Sequence, residues 1–182
     1  MSLQNTRAAY GWAAIALHWI SAVAVIVLYL LGEQLEEAEG RAAKLAAMAN
    51  HVSVGMLLLT FLAARLLWSA AQPHPRPLEQ NRVLRFVAMA VQGLFLGMIA
   101  VQIVTGPLVI WARARAIDVF GLVTITSPFT QPVPWLHDAA ETAHKVAPNL
   151  LWPLLALHVL GALKHAVIDR DPTLRRMLWA QR

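Results

Sequence analysis

Four long apolar runs separated by short polar stretches set the pattern of this chain. The first, YGWAAIALHWISAVAVIVLYLLG, covers residues 10–32. As an α-helix it is about 34 Å long, enough to cross the hydrocarbon core of a bilayer. A secretory leader also starts near a positive charge, here Arg7, but its apolar core is shorter and ends at a small-residue cleavage site. This run continues with His18 inside it, so a transmembrane helix is expected. Three further spans are expected over about 45–71, 86–112 and 139–168. The second carries His51 near its start and Arg65 near its end. The third has no histidine, but has Gly93 and Gly97 at GxxxG spacing, which favours close helix packing, and Gly106–Pro107, a kink signal.

The connectors differ in kind. EQLEEAEGRAAK, residues 33–44, is acidic and expected to be helical in part. QPHPRPLEQNR, from Gln72, is broken by prolines. Residues 113–138 combine two arginines with Phe120, Phe129 and Trp135, as an interfacial or re-entrant segment covering one end of a bundle would. Without repeats or low-complexity tracts, residues 1–182 read as one all-α, four-transmembrane-helix domain.

Composition agrees with a membrane protein: 58% of residues are apolar and 14% charged. Cysteine is absent, which excludes disulfides, thiolate-bound zinc, iron–sulfur clusters and thioether-linked haem. The basic residues flank the spans instead of forming an aromatic-laced patch, so no nucleic-acid partner is expected. The start, the 72–85 loop and the tail hold nine of the fifteen lysines and arginines. The first and third connectors, with the outer end of the last span, hold five of them and seven of the ten acids. Four spans put both termini on one side, and the positive-inside rule makes that side cytoplasmic.

Topology then assigns depths to the histidines. His144 and His158 lie fourteen residues apart on the last span. That is within roughly 40° of whole helical turns and about 21 Å along the axis. His51 and His144 fall towards the outer face, and His18 and His158 towards the cytoplasm. Ionisable groups at this depth are costly and mark a functional site facing the bundle interior. Paired imidazoles in a four-helix core suit haem b held without thioether bonds. Zinc or copper is a rival, though two ligands per site with no thiolate or intramembrane carboxylate are too few for a tetrahedral zinc shell. A proton relay would want acids deep in the spans, and Glu141, at the outer end of the last, is the single acid they hold. Pro148 and Pro153 cannot bond the carbonyls of His144 and Asn149, leaving these for other partners or for a kink.

ALHWISAVAVIVLYLLG, NHVSVGMLLLTFLAARLLW and AHKVAPNLLWPLLALHVLGALKH, with GPLVI and FGLVT, resemble the bacterial cytochrome b561 family over nearly the whole chain. The resemblance implies a four-helix bundle with two haems b, ligated by His18, His51, His144 and His158. It implies electron transfer between superoxide, as extracytoplasmic donor, and ubiquinone, in an oxidoreductase. An alternative is a cytochrome b subunit docking a periplasmic redox protein such as a hydrogenase; a haem-free transporter or scaffold is a second. Arg65 is a candidate for a haem propionate. His165 and Lys164 are candidates for the same role or for interface contacts. Arg113, Arg115 and Lys145, near His137, are candidates for steering an anion to the outer site.

Overall fold

A computed structural model describes residues 2–78 and 81–179. Arg182, counted above among the cytoplasmic cations, lies outside them. Among the described residues four helical stretches are long and apolar enough to cross a membrane. They are α1 (Trp12–Glu37), α2 (Arg41–Ala71), α3 (Arg82–Trp111) and a composite fourth span, Pro134–Asp169. The first connector is almost wholly helical, and only residues 38–40 separate α1 from α2. Gly40 turns the chain at φ 80. Asn81 caps α3, its Oδ1 accepting from the amides of Val83 and Leu84 at 2.9 and 3.2 Å.

The last span is not the uniform helix its apolar run predicts. It is α4 (Pro134–Val146), a 3₁₀ turn (Ala147–Leu150), α5 (Leu151–Leu163) and a π-helical end (Lys164–Asp169). Pro148 has no amide hydrogen to continue the ladder, and the chain tightens into the 3₁₀ turn around it, while Pro153 lies in the first turn of α5. In α3, by contrast, the helix runs on through the buried Pro107.

The core joins α1, α2 and α3 through Ala24, Leu62 and Ile99, with Val25, Leu28, Leu58, Leu66 and Ile103 around them. The fourth span packs chiefly on α3, through both α4 and α5. Its backbone hardly approaches α1 or α2, so those helices face it across a gap. Large apolar side chains cover the outside: Leu57, Leu67, Phe86 and Leu160 are each more than half exposed. In water such a surface would aggregate, whereas lipid tails solvate it. Gly93 and Gly97 are exposed too, and a Cβ added at either would meet nothing within 4 Å, so the GxxxG pair makes no close helix contact within this chain.

The third connector holds what helix periodicity does not predict, an antiparallel hairpin of β1 (Ile117–Val119) and β2 (Val123–Ile125). Phe120 and Gly121 both have positive φ, 56° and 69°, and Leu122 N–H closes the turn on the Val119 carbonyl at 3.0 Å. Left-handed backbone at a phenylalanine costs about 1–2 kcal/mol. Two bonds offset it: Phe120 N–H donates to Ser53 Oγ at 2.9 Å, and Gly121 N–H to Asp118 Oδ1 at 2.7 Å. Ile117 is fully buried beneath the hairpin. The opposite end gathers the N-terminal segment, the 72–76 stretch and the tail helix α6 (Thr173–Leu178), through Arg76 N–H to the Arg7 carbonyl and Arg176 Nη1 to the Arg76 carbonyl.

Candidate functional site

The gap between the fourth span and α1 and α2 contains two pairs of imidazoles at different depths. The ring centroids of His51 and His144 are 6.1 Å apart, with planes at 87°. Those of His18 and His158 are 6.0 Å apart, with planes at 48°. Two imidazoles bound to one metal from opposite sides, each at a metal–nitrogen distance of about 2 Å, have centroids roughly 6 Å apart. Rotation about each metal–nitrogen bond is free, so both interplanar angles suit such a site.

The outer pair lines a cavity of about 640 Å³ whose walls come from α1, α2, α3 and the fourth span, with Ile117 of the hairpin at its roof. That is within the range of small-molecule and cofactor sites, about 300–1,000 Å³. The ring of His144 is held in one tautomer. Thr105 Oγ1 donates to the Val101 carbonyl at 2.6 Å, which uses its only hydrogen, so at 3.0 Å from His144 Nδ1 it must accept. Nδ1 therefore carries the proton and Nε2 presents its lone pair, the form a metal requires. The main-chain carbonyl of His144, released by Pro148, is taken by Gln102 Nε2 at 3.0 Å. A Cβ on Gly106 would stand 3.3 Å from His144 Cε1, closer than ordinary contact; one on Gly32 would stand 3.7 Å from His51 Cε1. Gly106 thus lets the imidazole lie against the α3 backbone. His51 Nδ1 is buried and has no partner among the described residues.

At the inner pair, Trp19 stands edge-on to His18 at 5.3 Å and Phe95 edge-on to His158 at 5.7 Å. Ser21, one turn along α1, is buried, and its hydroxyl has no partner among the described residues. Arg65 is within electrostatic range of His18. Lys164 pairs with Asp169 at 2.6 Å, and His165 with Asp171 at 2.7 Å, so both candidates from this end are engaged by tail carboxylates.

On the outer rim, buried His137 donates from Nδ1 to the Val109 carbonyl at 2.9 Å, which leaves Nε2 to accept from Arg113 Nη2 at 2.6 Å. Glu141 Oε2 lies 3.2 Å from the same Nε2. Lys145 is bracketed by Glu36 at 3.6 Å and Glu141 at 3.2 Å, while Arg115 is exposed.

A family model for prokaryotic cytochrome b561 matches residues 9–180. The chain belongs to this family. It is 36% identical over 189 aligned positions to cytochrome b561 homolog 2 of Escherichia coli (strain K12), covering 98% of this chain and 95% of that one. It is 27% identical over 173 positions to the probable superoxide oxidase CybB of Yersinia pestis, covering 93% and 95%. This cytochrome b561 is accordingly a multi-pass bacterial membrane protein, and the family implies haem b and electron transfer. The donor set fits that group: imidazoles, one with its tautomer fixed, opposed at the required distance across a gap lined mostly by apolar side chains, with Glu36, Lys44, Glu141 and Lys145 also on the outer cavity's walls.

Sequence reasoning missed Thr105, Gln102, Gly106 and Ser53. A signal was present for two of them. Gln102 and Thr105 are polar residues three apart in an apolar helix, hence on one face, and both reach His144.

Proposed function

We propose that this cytochrome b561 carries electrons across the inner membrane through two haems b, one between His51 and His144 and one between His18 and His158. The observation that carries this reading is the pair of opposed imidazoles at each of two depths, each with centroids about 6 Å apart, as ligation of one iron from both faces demands. Haem supplies a one-electron couple, and the chain's residues set its access and its surroundings. Thr105 holds the His144 ring with Nε2 unprotonated. Apolar residues of α1–α3 make up most of the walls of the outer cavity, and Ile117 of the hairpin adjoins it. With both termini cytoplasmic, this end faces outward.

The donor we propose is superoxide and the acceptor ubiquinone, as the name of the Yersinia pestis relative suggests. Of the three candidate cations, Arg113 and Arg115 are those left to attract an anion, since two carboxylates offset Lys145. The test is a haem count and a reduced-minus-oxidised spectrum of the purified chain, followed by superoxide-driven reduction of a ubiquinone without a second subunit. Two haems b per chain and quinone reduction support the proposal. Two haems without superoxide-driven turnover would favour a cytochrome subunit docked to a periplasmic redox partner. Absence of haem, from cells supplied with it, would refute it.

A further inference from the structure

At the cytoplasmic end of the bundle, arginines from two distant parts of the chain lie within electrostatic range of one side chain, Tyr10. Arg65 belongs to α2. Arg176 belongs to α6, a six-residue helix too short to be stable alone. Tertiary bonds hold α6 in place. Trp19 Nε1 donates to the Met177 carbonyl at 2.8 Å, and the same indole is edge-on to His18. Asp171 accepts from Thr173 N–H at 2.8 Å and pairs with His165 at 2.7 Å. The residue adjoining Arg176 is thus tied directly to the tryptophan that packs on an inner imidazole.

Arg176 Nη1 donates to the Arg76 carbonyl at 3.1 Å, but its buried Nε has no partner among the described residues. Among the described residues neither Arg65 nor Arg176 forms an ion pair; the nearby tail acids Asp169 and Asp171 are occupied by Lys164 and His165. Both guanidiniums lie within electrostatic range of the half-buried Tyr10 hydroxyl. Two partly buried like charges with no acid between them are unfavourable until an anion joins them. A guanidinium fork matches a carboxylate or a phosphate.

We infer that Arg65 and Arg176, with the Tyr10 hydroxyl, form an anion site that receives the carboxylates of the haem held between His18 and His158, so that the C-terminal tail is part of the inner haem site. This rests on the bis-histidine reading above. A phospholipid phosphate offers similar chemistry. The haem carboxylates are favoured because Arg65 lies within electrostatic range of His18 and α6 is bonded to Trp19, whose indole is edge-on to that imidazole.

The test is a redox titration of the full-length holoprotein followed by visible absorbance, the inner haem being the component that His158→Ala removes. Arg65→Gln and Arg176→Gln should each lower the inner midpoint by a tenfold shift in the oxidation–reduction equilibrium or more, about 59 mV for one electron, and leave the outer one in place. Loss of the inner haem to an acceptor protein should be faster in both. Arg176→Lys keeps the charge and should recover most of the shift. Arg175→Gln removes an exposed charge from the same helix and should match wild type. Unchanged potentials in both Gln variants would overturn the inference. So would loss of a co-purifying phospholipid in Arg176→Gln with both potentials unmoved, since the anion would then be a lipid phosphate. A lysine variant as displaced as the glutamine one would overturn the electrostatic account. A wild-type chain that holds no haem would overturn the bis-histidine reading itself, a result read from the haem count before any variant is made.

Discussion

Replacing Thr105 by valine tests whether the hydroxyl is what presents His144 to a metal. The two side chains have nearly the same shape, and Thr105 is only 8% exposed, so packing is conserved. The change removes the acceptor 3.0 Å from His144 Nδ1 and leaves a buried N–H unsatisfied. An orphaned donor of this kind costs about 1–3 kcal/mol, and partners that orient metal-bound histidines contribute about 10- to 100-fold in affinity. The neutral imidazole can also escape by moving the proton to Nε2, which abolishes ligation. We expect the outer haem of Thr105→Val to transfer to an excess of apomyoglobin about 10- to 100-fold faster than in wild type, with the inner haem unaffected. Loss of the acceptor makes the imidazole a poorer electron donor, so the outer midpoint potential should rise. Thr105→Ser keeps the hydroxyl and should behave nearly as wild type. Equal transfer rates and equal potentials in Thr105→Val and wild type would refute the tautomer argument.

Other variants probe the rest of the site. His144→Ala should lose the outer haem and keep the inner, and His158→Ala the reverse; loss of both from a folded protein in either variant would contradict two independent sites. Gly106→Ala should weaken outer haem retention, because its Cβ would press on His144 Cε1 at 3.3 Å, an overpacking that costs about 1 kcal/mol or more. Gly32→Ala meets His51 only at ordinary contact distance and should leave haem content unchanged, which a parallel haem assay would show. Arg115→Glu should slow superoxide-driven quinone reduction about two- to tenfold at low salt and flatten its salt dependence, with Lys145→Gln having the smaller effect because Glu36 and Glu141 already offset that charge. Stopped-flow rates at two ionic strengths distinguish the two.

Four spans were legible in the sequence because lipid demands about twenty apolar residues per helix and loops have no such demand. The histidines stood out for the same reason, since a polar group at membrane depth is conspicuous against leucine and valine. Helical spacing and the direction of each span were enough to match His51 with His144 and His18 with His158, the pairs whose rings lie about 6 Å apart. Local patterns do not encode contacts between segments, and there the structure was needed. Glu33 to Glu37 look like a connector by polarity yet continue α1, since helix geometry tolerates acids once the chain leaves the hydrocarbon. Gly93 and Gly97 have the spacing of a packing face but point outward, because spacing specifies a face and not its neighbour. The hairpin over the outer cavity escaped notice because each strand is three residues long and depends on Ser53, sixty-seven positions away from Phe120. Arg176, by sequence one of several tail cations, becomes distinct only when α6 folds back onto Trp19. Periodicity and solvent thus determined the number of helices and the depth of each histidine. Which polar groups surround the two histidine pairs was decided by tertiary packing, since those partners lie far along the chain and meet only when the bundle closes.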